Sequence, residues 1–432
     1  MKKIIALLMA VMMLGTVAVG CTGNGETPNT NDTTAAGNET TGFNVPAADF
    51  GEEKDATIKV WGPDAYVSLL KEQCDAFKAL YPEQNITIEV VAQGEDTAAT
   101  QMLSDPDAAA DVFGFASDQM NRLTNAKVIA PINTNYATAV AATDLEEAIK
   151  VCTVDDKLFA FPETGNGYYL VYDKRVVTDE QAGSFEAILE ACKTAGKKFI
   201  MDAGTGYYSC LFAFTGGVKI DGLKDDNVTQ VFADYDEAEA VATLKAFSKL
   251  MHDYSGTFTS LGPENISSGF SNGACGAGID GSWNSSVDKE ALGENLGAAK
   301  LPTINVDGED KQMISMYGYK MIGVNAASKF PRTSQILAYY LSSKECQQQR
   351  ADQLGWSPTN KEVIESDTVK NDVTISALVA QSAHAVAQVN VADTFWDPMA
   401  NLGNKLFAEV TDPETYDFAK LLNDTIANIA AN

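Results

Sequence analysis

Residues 274–286 read Ala-Cys-Gly-Ala-Gly-Ile-Asp-Gly-Ser-Trp-Asn-Ser-Ser, and this spacing sets an indole where it could hold a ligand. Small residues let the backbone pack closely, Ile279 reads as the buried residue of a short strand, and Asp280-Gly281 is turn chemistry that delivers Trp283 outward. Polar Asn284, Ser285 and Ser286 follow, as at the mouth of a cleft. The competing reading is a Trp that closes a core. Covalent chemistry finds little support. The two histidines, His252 and His384, stand in no spacing that suits a metal site or a catalytic base. Cys74, Cys152, Cys192, Cys210, Cys275 and Cys346 are widely scattered with no C-x-x-C, so neither a metal knuckle nor a redox motif is visible and no metal or cofactor is expected; six such cysteines in an exported chain could pair, but several fall on apolar faces of helices or strands and read as buried free thiols.

The elements that would position these groups alternate in type. Residues 56–62 form a strand, 64–80 a helix with Tyr66, Leu70, Cys74 and Phe77 on one stripe, 86–91 a second strand, 96–104 a helix, and 110–116 a buried third strand. Such alternation is the signature of a parallel α/β sheet, whose ligands lie outside the carboxyl ends of the strands. The residues just past those ends are Gly62, Pro63 and Asp64, then Gly94, Glu95 and Asp96, then Phe115 to Gln119. A strand at 159–162 runs into Glu163-Thr164-Gly165-Asn166-Gly167, a Gly-rich kink suited to crossing between two lobes, and then into the β-rich 168–172. Tyr168, Tyr169 and Tyr172 alternate there, so at least one face is core.

Helix 184–195, strand 199–201, a loop at 202–209 carrying Tyr207 and Tyr208, and helix 236–252 follow. Residues 319–325 are a strand and a second crossing; 334–352 is a helix, and Trp356 lies in a loop. Three helices close the chain at 373–388, 398–410 and 413–429, the last with Asp412 as its cap. Trp61, near a strand end, reads as core or lobe wall.

A chain of 432 residues exceeds what one core holds, so two domains are expected. The balance of 31 Lys+Arg against 59 Asp+Glu gives −28, a surface that repels phosphate backbones and anionic headgroups and excludes nucleic acid as a partner. Lys2 and Lys3 precede an apolar run, 4–19, that ends in Ala18-Val19-Gly20-Cys21. The run is too short for a spanning helix. It resembles a bacterial lipoprotein signal, which implies cleavage before Cys21 and lipid modification of that residue. Residues 22–53 hold almost nothing to bury and read as a flexible tether.

Taken together the chain resembles the extracellular solute-binding proteins of ABC transporters, in their maltose/maltodextrin-binding branch. The resemblance spans about 56–429 and rests on the lipoprotein signal, Asp111-Val112-Phe113, Phe161-Pro162 before the first crossing, Gly281-Ser282-Trp283, the strand ending Gly323-Val324-Asn325-Ala326-Ala327-Ser328, and Phe395-Trp396. It implies a two-lobed periplasmic-binding-protein fold (type II), each lobe a mainly parallel sheet flanked by helices with the ligand cleft between them. The expected division is a signal peptide at 1–20, a tether at 21–54, an N-terminal lobe at 55–163 and 318–368, and a C-terminal lobe at 164–317 and 369–432. It also implies a monomeric, non-enzymatic receptor, lipid-anchored on the outer face of a cell membrane, of the Gram-positive type given the long tether, that hands maltooligosaccharides to an ABC permease.

Carried over residue by residue, the family's stacking tryptophans fall on Trp283 and Trp396, and its stacking tyrosine on Tyr207 or Tyr208. Its hydroxyl-binding acids fall on Asp118 and Asp64, with Glu95 and Asp96 as a further pair at the cleft edge. Three positions depart from the pattern: Phe115 replaces a Trp, Gln119 an Arg, and Asn166 a carboxylate. Asp280 and Asp397 either brace the tryptophans or touch the ligand.

A pyranose offers an apolar C–H face and a rim of hydroxyls, so it calls for flat aromatics beside planar carboxylates and amides. Trp283, Trp396, Tyr207, Tyr208 and Phe115 with Asp118, Asn166, Asp64 and Gln119 supply both. Two other readings compete. One is a binding protein for a different oligosaccharide or a small cationic solute. The other is a secreted glycoside hydrolase using Asp118 and Glu163 as its carboxylate pair.

Overall fold

A computed structural model describes residues 48–431. The expected signal peptide, Cys21 and the tether up to residue 47 lie outside the described residues. Within residues 48–54, expected as the end of the tether, Phe50 and Glu53 are anchored to the domain, while Asp49, Gly51, Glu52 and Lys54 are exposed. Phe50 is buried with its ring 4.9 Å from that of Tyr81, and Glu53 accepts hydrogen bonds from Thr333 N and Oγ1 (2.8 and 2.9 Å) at the start of helix Pro331–Leu341.

Ten strands make the main sheet: β1 (Thr57–Gly62), β2 (Thr87–Ala92), β3 (Val112–Ala116), β4 (Ala160–Asp173), β5 (Lys198–Met201), β6 (Phe258–Ser260), β7 (Cys275–Gly281), β8 (Leu296–Ala299), β9 (Ser315–Val324) and β10 (Ala385–Ala387). Their order is β6-β5-β7-β4-β9-β3-β1-β2, with β8 also pairing to β4 and β10 to β9. The sheet is mixed: β1 pairs in parallel with β2 and β3, and β5 with β6 and β7, while β4 and β9 run antiparallel to their main neighbours. The alternation read in the first strand holds, with Ile58 and Val60 buried and Thr57 exposed.

The two crossings are built into single strands. In β4 the first half pairs with β9, from Ala160↔Gly323 to Gly167↔Tyr317, and the second half pairs with β7, from Tyr168↔Gly281 to Tyr172↔Ala277. The expected kink is therefore continuous strand, buried along its whole length. Its glycines answer to space: a Cβ on Gly165 would stand 2.5 Å from Tyr317 Oη. Strand β9 likewise pairs with β3 through Lys320–Val324 and with β10 through Ser315–Tyr317.

Two large apolar clusters lie on either side of these strands. One gathers Ile58, Phe77, Phe113, Phe161, Met321 and Leu337; the other gathers Leu170, Phe185, Phe199, Phe247, Leu402 and Leu422. Fully burying side chains of this size is worth about 1.5–3 kcal/mol each.

Four local readings change. Tyr207 and Tyr208 lie in helix Gly206–Thr215, because Gly206 packs on the backbone of Trp396 and starts the helix there. Helix Val373–Ser382 stops early, and β10 follows it. The helix expected over 334–352 is two, since Ser343 caps a second one at Lys344–Leu354. The last helix, Phe418–Ala430, is capped by Asp417, whose Oδ1 accepts from Lys420 N at 2.9 Å, while Asp412 caps only a turn. The six cysteines 74, 152, 192, 210, 275 and 346 are free and buried, and burial pushes the Cys74, Cys192 and Cys210 thiols up to about 12. Among the described residues no helix is long and apolar enough to cross a membrane.

Candidate functional site

The carboxyl end of β3 turns directly into a short 3-10 segment, Ser117–Gln119, that presents Asp118. Ser117 Oγ donates to the carbonyl of Gln388 at 2.7 Å and so ties this turn to the segment after β10. Gln388 Nε2 then donates to Asp118 Oδ1 at 2.8 Å, and Asn166 Nδ2 donates to Gln388 Oε1 at 3.0 Å and to Tyr207 Oη at 3.3 Å. Four side chains from four separate elements thus form one polar line. Burial raises the Asp118 carboxyl to about 6, the hydrogen bonds from its own backbone and from Gln388 opposing the rise. Asn166 Oδ1 is buried with no hydrogen-bond partner, an acceptor left over for a donor from outside the chain.

Tyr207 carries the line to the aromatic groups. Its ring lies 5.9 Å from Trp283 and 5.2 Å from Tyr168. Trp283 is half-buried in the segment Ser282–Asn284 that follows β7. The residue before this segment was expected to be a turn glycine. Gly281 instead ends the strand in extended backbone (φ −81°, ψ 147°), and its missing Cβ makes room for the Trp283 ring. Asp280 braces the step: Oδ1 accepts from Gly281 N at 2.6 Å and from Asn284 Nδ2 at 2.8 Å. It is fully buried, and desolvation together with nearby Asp288 holds its carboxyl well above the usual range. Trp396 is half-buried against the second apolar cluster, its ring edge-on to Phe395 at 5.2 Å. Beyond it, Arg122 Nε approaches Asp393 Oδ2 at 3.3 Å.

A second polar group adjoins the first. Glu95, 4% exposed, is ion-paired with Lys320 of β9, and the Lys320 ammonium stands 5.3 Å from the ring centroids of both Trp283 and Trp356. Glu163 lies 3.9 Å from Arg350, whose Nη1 donates to Tyr66 Oη at 2.8 Å. Burial raises the Glu163 carboxyl to about 7 against the pull of Arg350. A small pocket borders this group, lined by Trp61, Tyr66, Glu95, Gly114 and Glu163 among others. It touches none of Trp283, Tyr207 or Trp396.

Seven of the residues expected to bind ligand are committed elsewhere or stand apart. Phe115 is completely buried, 5.4 Å from Phe113, and belongs to the first apolar cluster, because β3 is covered on both faces. Gln119 is structural: Oε1 accepts from Ala99 N at 2.9 Å, and Nε2 donates to the carbonyls of Glu95 and Asp96 at 2.6 and 3.1 Å. Glu95 is occupied by Lys320. Tyr208 is 3% exposed behind Tyr207, with no partner for its hydroxyl. Asp64, Asp96 and Asp397 are exposed, outside the polar line.

Gln388, Lys320 and Trp356 do not stand out as ligand residues in the sequence. Gln388 falls at the end of the helix expected over 373–388 and carries no signal. Lys320 did carry one, as a lone cation inside the apolar strand Tyr-Gly-Tyr-Lys-Met-Ile-Gly-Val.

Known proteins share this architecture. A galactooligosaccharide-binding protein of Bacillus subtilis (strain 168) is 22% identical over 377 residues, which cover 84% of this chain and 87% of that protein. A solved structure with acarbose is 28% identical with a TM-score of 0.77, covering 87% of this chain and 98% of that one. The maltodextrin binding protein of L. casei BL23 without ligand superposes with a TM-score of 0.72 at 24% identity, covering 87% of this chain and 99% of that one. The family described as bacterial extracellular solute-binding protein matches residues 72–377. With two apolar cores joined by crossing strands and a line of polar and aromatic side chains at their junction, the chain belongs to the bacterial extracellular solute-binding proteins.

Proposed function

We propose that this protein captures α-glucan oligosaccharides between two lobes, 55–163 with 318–368 and 164–317 with 369–432, and delivers them to an ABC permease. The observation that carries the reading is the line Asp118–Gln388–Asn166–Tyr207 ending beside Trp283. Amide and carboxylate groups there suit sugar hydroxyls, and the indole and phenol suit the C–H face. The likeness to a chain solved with acarbose and to maltodextrin-binding proteins supports the same ligand class. Lobe closure would desolvate the hydroxyls and complete the site, a hinge-type motion about β4 and β9. Cys21, after cleavage at residue 20, would carry the lipid that holds the receptor at the outer face of the cell membrane.

Isothermal titration against maltose, maltotriose, longer maltodextrins, isomaltose and cellobiose tests the ligand class; binding of none of the α-glucans would sink the reading. The galactooligosaccharide-binding relative favours a second ligand class, so galactooligosaccharides belong in the same panel. Chromatography of maltotriose after prolonged incubation tests the hydrolase reading. Glu163 argues against it, being 2% exposed and set beside Arg350 within the buried charge group.

A further inference from the structure

Lys320 is an unusual occupant of its strand. Its side chain is 10% exposed and its ammonium pairs with Glu95, itself 3% exposed at the side chain. Across the junction it stands over Trp283, and on its own side over Trp356, at 5.3 Å from each ring centroid. Trp356 is 2% exposed. Trp283 packs against the second apolar cluster and Trp356 belongs to the first, so one ammonium contacts an indole from each. An ammonium over an indole face is held by the ring quadrupole, the more firmly when water is excluded.

A sugar chain extending across Trp283 in this direction would have to expel a buried cation from its contact with two indole rings and leave Glu95 buried without its partner. Both changes are unfavourable. On the Tyr207 side, among the described residues, the groups next to Trp283 are the aromatic rings and the polar line through Asn166, whose Oδ1 has no hydrogen-bond partner.

We propose that Lys320 is a specificity-determining residue that walls off the Trp283 end of the sugar groove and so limits the length of oligosaccharide that can be bound. This rests on the reading of the junction as a sugar site. The end sugar lies against the indole surface on the Tyr207 side, and Lys320 forms its end wall. The strand position makes the wall rigid, since Lys320 is hydrogen-bonded into the sheet opposite both Ala116 and Thr164.

A groove closed at one end accepts a bulky group on one terminus of its ligand and rejects it on the other. Wild-type protein is therefore titrated with maltotriose, with its 4-nitrophenyl glycoside, and with its non-reducing-end benzylidene acetal. At least one of the two substituted sugars should bind about tenfold or more weakly than maltotriose. Tolerance of both within about threefold would overturn the inference. Lys320→Ala combined with Glu95→Gln, which removes the wall without stranding a carboxylate, should restore binding of the rejected derivative and raise affinity for maltohexaose relative to maltotriose. Lys320→Arg should keep the wild-type pattern. A double variant that stays folded by thermal melting yet keeps the wild-type discrimination would also overturn it. Should the double variant not fold, the wild-type comparison stands alone. If wild-type protein bound maltotriose with no discrimination, only this inference would fall; if it bound no α-glucan, the sugar reading itself would fall and this inference with it.

Discussion

Gly281→Ala isolates what places Trp283. The backbone at 281 is extended, with φ of −81°, so alanine is conformationally acceptable there and the strand should form as before. The new Cβ, however, would lie closer than 3.0 Å to Cζ2, Cε2 and Cη2 of the Trp283 indole, where ordinary contact begins at 3.4 Å. The ring must therefore retreat by more than 0.4 Å, the difference between those limits. It can do so by rotating about its side-chain bonds, which spares the fold and costs the platform. Loss of a well-placed aromatic contact is worth about 1–2 kcal/mol, or roughly a 5- to 30-fold weaker Kd. Titration calorimetry with maltotriose gives the affinity, and intrinsic fluorescence reports the indole environment. Thermal unfolding should show little change. A variant with wild-type affinity and an unfolded-to-folded balance shifted instead would refute the idea that Gly281 serves the site.

Trp396→Ala and Asn166→Ala should each weaken sugar binding by ~1–3 kcal/mol with near-wild-type unfolding, the first by losing aromatic area and the second by cutting the line between Gln388 and Tyr207; unchanged affinity in both would remove them from the site. Arg350→Met should destabilise by ~3–5 kcal/mol, because Glu163 and Tyr66 lose a buried partner, and adding Glu163→Gln should recover much of that in denaturant titrations. Stability should also depend on pH. Burial raises Asp118 and Asp288 to about 6 and Glu163 to about 7, so the folded chain holds protons that the unfolded chain releases between about pH 4 and 7. Stability then falls as pH rises through that window. A melting temperature higher at pH 7.5 than at pH 5 would contradict this, and Glu163→Gln should flatten the slope.

Reading along the chain succeeded where a residue's fate is local. The stripe Leu70, Cys74 and Phe77 is buried in helix Val67–Leu80, and the alternation of β1 places Ile58 and Val60 inside. Tyr207, Trp283, Asp118 and Asn166 stand out in the sequence, and in the fold hydrogen bonds through Gln388 and one ring contact link them. Phe115 and Gln119 were misjudged for a common reason. Nothing in a strand end says whether the next aromatic or amide faces a cleft or a neighbouring loop, and here both are consumed by packing and by the 95–99 backbone.

Composition and motif order determined the class of protein and the apolar faces that build the two cores, because apolar periodicity is a property of each segment alone. Tertiary structure decided which of those residues meet. Gln388 enters the polar line only because β10 pairs with β9 and brings the residue 270 positions from Asp118 to hydrogen-bonding distance. Lys320 becomes a wall only because β4 and β9 hold the two cores together, so that rings from residues 283 and 356 close on one ammonium. Such meetings depend on strand register across the whole chain, and register is set by the packing of both cores together.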